Sequence, residues 1–171
     1  MNIPEYVSKQ EVKRVCEALK LRDWSDLADP VVTIEEAALI LNEVNTSRMD
    51  IPVETFRAGL EVELEHGTRF KDANVTNNHP LLTGKIVLAH LKETMDYYQR
   101  LDVAELEGDL LKAARAGNAE KALSIYRRLL TARAALSAAE AQAVETSWEM
   151  ERPDARILAL SAAMSFASIS L

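Results

Sequence analysis

Apolar residues recur along the chain at spacings of three and four, the interval that gathers them on one side of an α-helix. Val12, Val15, Cys16 and Leu19 form the first such set. Ser8-Lys9-Gln10-Glu11 precedes it as a capping box, in which the Ser and Glu side chains each satisfy a free backbone N–H. Thr33-Ile34-Glu35-Glu36 is a second box, opening a helix through Ala37 to Leu41 that ends near Val44. Pro52 suits the first turn of a third helix, Val53 to His66, and Gly67 its end, where a left-handed residue is wanted. The polar stretch 68–78 separates this from Pro80, which opens a long fourth helix reaching about Leu101. A fifth covers 102–116 and stops at Gly117, and Asn118 caps a sixth that reaches about Leu136. Ser137-Ala138-Ala139-Glu140 reads as a further capping box, for a seventh helix ending near Met150, and Pro153 and Asp154 begin the last. No segment alternates with a period of two for long enough to predict a strand. The expected fold class is all-α, with about seven to eight helices.

The two halves differ in style. Residues 1–101 are varied and predict a compact helical domain. Beyond them alanine dominates, and the run from Leu110 to Leu123 is similar to the helix–turn–helix of tetratricopeptide or ankyrin units. Only one such unit is visible, whereas an array needs about three to bury a continuous core. Residues 102–171 therefore read as an Ala-rich antiparallel helical extension, packed on the first domain or on a partner.

Composition supports the helical reading: five glycines and five prolines are few for 171 residues, and Ala, Leu and Glu lose little on entering a helix. A net charge of −7 repels phosphate backbones, and the basic cluster Arg127, Arg128 and Arg133 is flanked by Glu120 and Glu140, so no nucleic-acid partner is expected. The single cysteine, Cys16, excludes an intramolecular disulfide and sits on an apolar helix face, where a buried, inert thiol is expected. The N-terminus lacks a basic start followed by an apolar core, so the expected location is the cytoplasm of a bacterial or infected host cell. From Ile157 to Leu171 the chain carries no charge, yet it is shorter than the roughly 20 residues a bilayer requires. That segment is expected to dock on its own core or on another protein, itself or a different one, through Ile157, Leu160, Met164, Phe166 and Leu171, with no membrane role.

Chemistry is sparse. Glu63 and His66 lie one turn apart on the third helix, and His90 and Glu93 share that spacing on the fourth. Two antiparallel helices that each offer a Glu and a His could hold a divalent transition metal, as di-iron carboxylate bundles do. The competing reading is a solvated or hydrogen-bonded pair of helices. The loop Asp72 to Asn78 spaces oxygen ligands as a calcium loop does, but Asn77 stands where the glycine is needed and Thr83 where the glutamate is. A self-bonded Asn/Asp turn is expected there. Gly84-Lys85 follows no phosphate-binding loop, no nucleophile motif is present, and Trp24 and Trp148 read as core or interface anchors.

The blocks Phe56-Arg57-Ala58-Gly59-Leu60, Glu63-Leu64-Glu65-His66-Gly67, Asn74-Val75-Thr76, Pro80 to Leu91 and Asp96-Tyr97-Tyr98 occur together at fixed separations. Over about residues 52–101 the chain resembles an uncharacterised domain-of-unknown-function family, number 5661, of bacteria, bacteriophages and large DNA viruses. It departs from that family at Asn78 and His79, where the family carries an acidic pair. The resemblance brings no established activity. It marks Glu63, Glu65, His66, His90, Glu93, Asp96 and Tyr97 as recognisable polar positions, either ligands or a network fixing two helices, and its phage members imply a virion or assembly role. The expectation is a non-catalytic structural or assembly protein without a resident cofactor. The alternative is a metal-binding helical module, or a metal-dependent enzyme, built on Glu63, His66, His90 and Glu93.

Overall fold

The computed structural model describes residues 7–151, which form six α-helices, one 3-10 turn and no strand. The helices are α1 (Lys9–Leu19), α2 (Ile34–Val44), α3 (Val53–Arg69), α4 (Pro80–Glu93), α5 (Tyr97–Arg115) and α6 (Ala119–Glu151), with the 3-10 turn at Lys71–Ala73. The fold is all-α as expected, with fewer helices than expected. The predicted fourth helix breaks after Glu93, and the predicted sixth and seventh are one. The helix expected from Pro153 lies outside the described residues.

The break follows from side chains that compete with the helix for backbone groups. Thr94 is extended (φ −160°, ψ 139°), its hydroxyl bonds the Asp96 carboxylate, and its carbonyl accepts from Tyr97 N–H at 3.2 Å. The fusion follows from alanine. Ser137 caps nothing in a run of strong helix formers, and Glu140 instead pairs with Arg100 at 2.8 Å.

The chain divides into two compact units, Met1–Tyr98 and Gln99–Leu171. In the first, α2, α3 and α4 pack on one another and α1 packs on α4. Trp24, Ile40, Phe56, Leu60, Leu64, Val87 and Leu91 are fully buried among them, as is Cys16. Burial raises the Cys16 thiol above its ordinary range, which keeps it protonated. Gly84 sets the spacing of α4: a Cβ there would lie 2.7 Å from Ile40 and 3.4 Å from Phe56.

The caps formed unevenly. Thr33 and Glu36 make the full reciprocal box (3.2 and 3.1 Å), and the same buried carboxylate accepts from Trp24 Nε1 (3.1 Å) and Arg22 Nε (3.0 Å). Ser8 caps α1, but Glu11 does not reach back, because Arg14 takes both of its oxygens at 2.6 and 2.7 Å. Gly67 is no helix end, since α3 runs on to Arg69.

In the second unit Gly117 (φ 67°) turns the chain and Asn118 Oδ1 accepts from Lys121 N–H at 3.0 Å, starting α6. Leu106 and Ala113 of α5 meet Ile125 and Leu129 of α6, with Val103, Leu110, Ala122 and Ala132 packed around them. These positions follow steps of three and four on both helices, as antiparallel neighbours with knobs-into-holes packing require. Two exposed ion pairs, Glu107–Arg133 and Arg100–Glu140, lie seven residues apart on each helix. They keep register and add little stability.

His79 stands at the cap of α4, where its Nδ1 accepts from Leu82 N–H at 3.4 Å. Burial pushes its imidazole below the ordinary histidine range, against the opposing pull of the Glu11 charge. Below about pH 6.5 the unfolded chain then takes the proton more readily than the folded one, so this contribution to stability is present above that pH and lost as the pH falls further. Urea titrations at pH 7.5 and 5.5 should show His79→Asn, which caps without titrating, losing less stability on acidification than the parent. Equal losses would remove His79 from the account.

Candidate functional site

One face of α3 carries Gly59, Glu63 and Gly67, each one turn from the next. The two glycines are slots. A Cβ at Gly59 would lie 2.5 Å from the Tyr98 ring and 2.6 Å from Val87; one at Gly67 would lie 2.2 Å from Asn78 Oδ1 and 2.8 Å from Asn74 Nδ2. Between them, Glu63 receives what these neighbours bring.

Tyr98, at the start of α5, lays its ring over Gly59 and donates its hydroxyl to Glu63 Oε1 at 3.0 Å. His90 Nε2, from α4, stands 3.7 Å from the same oxygen. The Tyr97 ring stacks on the imidazole (4.1 Å between centroids, 10° between planes), and the Tyr98 ring meets it edge-on at 6.1 Å. His90 Nδ1 is buried and unpartnered among the described residues. Burial, and then the charge of Glu63, drive the Tyr98 hydroxyl far above its ordinary range. It stays protonated and can act only as a hydrogen-bond donor to the carboxylate.

One turn further along α3, Asn74 Nδ2 donates to Gly67 O (3.2 Å) and Asn78 Oδ1 (2.9 Å), and Asn78 Nδ2 donates to Trp24 O (3.4 Å). Asn77 and Asn78 hold positive φ angles of 48° and 60°, which asparagine tolerates better than most residues. The loop expected as a self-bonded turn is thus a clasp joining α3 to the segment after α1. Beside it lies a cavity of about 180 Å³, at which Lys9 and Asp26 pair with each other at 2.5 Å.

Of the four predicted metal-ligating residues, the structure brings Glu63 and His90 together and leaves His66 and Glu93 exposed. The reason is angular. The buried side of α3 is set by Phe56, Leu60, Leu64 and Gly67. Glu63 sits at its margin and His66 about 60° further out, while Glu93 points roughly opposite to the buried side of α4. Among the described residues no three His, Cys, Asp or Glu side chains converge on one point. What is assembled is a carboxylate satisfied by a phenol and bordered by an imidazole, a polar lock between three helices. The predicted contact residues Ile157, Leu160, Met164, Phe166 and Leu171 lie outside the described residues. Trp24 is in the core as expected, whereas Trp148 is 72% exposed.

A second feature gives a place to the partner expected for residues 102–171, although of its residues only Trp148 was expected as an anchor. Besides the face that packs on α5, α6 carries Leu123, Tyr126, Leu130, Val144 and Trp148 in exposed positions. Their steps of three, four and multiples of seven, visible in the sequence, are the signal that would have found them.

The chain matches the family described as "Protein of unknown function (DUF5661)" over residues 12–107, and it belongs to that family. The match covers most of α1, all of α2 to α4 and the first part of α5, a longer stretch than the 52–101 expected from the motifs. No curated protein and no solved structure matches the chain.

Replacing Tyr98 by Phe keeps the ring in the Gly59 slot and strips Glu63 of its donor, at an expected cost of about 1–3 kcal/mol in urea unfolding. Gly59→Ala, which pushes the ring out, is expected to cost about as much. In the combined variant the losses should fall short of additive, because both disturb one contact. Additive losses would mean that the slot and the hydrogen bond act independently.

Proposed function

We propose that this chain is a non-catalytic structural or assembly protein, working through protein–protein contact made by the outer face of α6. The carrying observation is the second apolar stripe of that helix: Leu123 (51% exposed), Tyr126 (46%), Leu130 (49%), Val144 (54%) and Trp148 (72%). Single exposed apolar residues are ordinary, but five on one helical line, two of them aromatic, are the composition of an interface. The polar cluster of the first unit supports the same reading. Glu63 is engaged by Tyr98 within the fold, and His90 is stacked on Tyr97 and met edge-on by Tyr98. A subunit of a larger particle, such as a virion component, is one form this role takes.

Trp148 reports on the face directly, because Trp24 is buried and unresponsive. In the concentrated full-length chain, or in its native complex, acrylamide should quench Trp148 weakly. Leu123→Gln with Leu130→Gln should restore full quenching while changing folding stability by no more than about 0.5 kcal/mol, as surface positions do. Unhindered quenching of Trp148 in the parent under all these conditions would contradict the reading.

A further inference from the structure

We propose that the occupant of this face is α6 of a second copy of the chain, lying antiparallel about a twofold axis near Leu136. The inference rests on the reading of α6 as the interaction face and names its partner.

The stripe is straight. At 100° per residue, Leu123, Tyr126, Leu130, Ala134, Ser137, Ala141, Val144 and Trp148 fall within an arc of about 80°. The seam to α5, formed by Ala122, Ile125, Leu129 and Ala132, is centred roughly 120° away. A second helix can therefore lie along the stripe without displacing α5. The intervals alternate mainly between three and four, the 3.5-residue period that keeps one helix on another over many turns. The helix has 33 residues, about 50 Å, enough for this. Small residues at the middle of the stripe, Ala134, Ser137 and Ala141, permit close approach at the axis.

Charge selects the direction. Past Glu120, the N-terminal half of α6 carries Lys121, Arg127, Arg128 and Arg133, and the C-terminal half carries Glu140 and Glu145 with no basic residue. A parallel pair sets like charges side by side, whereas an antiparallel pair sets each basic half on an acidic one. The register is specific. Arg127 and Glu145 are eighteen residues apart, which is five full turns, so they occupy the same flank of the stripe. That pair is centred on residue 136, while Arg133 and Glu140 lie on the flank towards α5, where Glu107 and Arg100 hold them. Rotation about that point brings Arg127 opposite Glu145 of the second copy, and the reverse, as an isologous interface requires. The same rotation sets Leu123 and Tyr126 against Trp148 and Val144 of the second copy.

The test uses the full-length chain in a Cys16→Ala background, with a spin label at Ser124→Cys or Ala135→Cys, both exposed and off the stripe. Ala135 labels, near the axis, should give a short intermolecular distance. Ser124 labels should be separated by about 33 Å more along the helix axis. Charge reversal by Arg127→Glu should weaken association about fivefold or more, and Arg127→Glu with Glu145→Arg should restore it. Equal distances at the two sites would overturn the antiparallel arrangement. Absence of dipolar coupling at both sites would overturn self-pairing. If Trp148 then stays shielded from acrylamide, another occupant covers the face, either a different protein or the segment Ile157 to Leu171. If Trp148 is fully quenched, the interaction face falls as well.

Discussion

In the first unit the Tyr98 ring lies so close to the backbone of α3 at Gly59 that no side chain fits between them, and the surrounding structure depends on that contact. Only glycine leaves room there, and the ring fills the room only if its hydroxyl finds an acceptor. Glu63, one turn on, supplies it at 3.0 Å. A buried phenol without an acceptor, or a withdrawn carboxylate without a donor, would each cost more than the bond itself contributes. The contact also explains why α4 cannot continue to Leu101: Thr94 and Asp96 must turn the chain for Tyr97 and Tyr98 to face His90 and Glu63. Gly67 repeats the device two turns along, with asparagine amides in place of a ring. Chemistry-bearing residue types are concentrated on α3 because that helix is held to its neighbours by polar contacts through glycine slots.

The second unit obeys a different constraint. A two-helix hairpin buries one side of each helix and leaves the rest to water. For α5 that suffices, since most of its outer face is charged. For α6 it leaves a line of leucine, tyrosine, valine and tryptophan in solvent. A helix with two apolar sides, only one of them packed within its own unit among the described residues, has the pattern of a subunit, and the division of its charge between the two ends fits an antiparallel copy.

Much of this was legible in the sequence. The fold class followed from periodicity, and Ser8, Thr33, Pro80, Gly117 and Asn118 marked where helices begin or end. Two signals misled because tertiary contacts outweigh local chemistry. Gly67 reads as a helix stop, yet it is a packing slot whose need arises from Asn74 and Asn78 in a loop that folds back on it. Ser137 with Glu140 reads as a capping box, yet Glu140 is recruited by Arg100, forty residues away. The pairing of Glu63 with His90 was anticipated by spacing. The exclusion of His66 and Glu93 was not, because spacing of three says that two residues are neighbours and not which way they face. The pairing of Tyr98 with Glu63 went unread for the same reason: nothing local marks a tyrosine as the partner of a glutamate 35 residues earlier.

The central claim is that α6 carries one apolar face for its own chain and one for a second copy. Sedimentation equilibrium of the full-length chain over a wide concentration range tests it most directly. The account expects the mass to rise from the monomer value of 19.0 kDa to twice that value and to stop there, since a twofold interface closes on itself. A mass of 19.0 kDa at every concentration, or one that keeps growing, would contradict it.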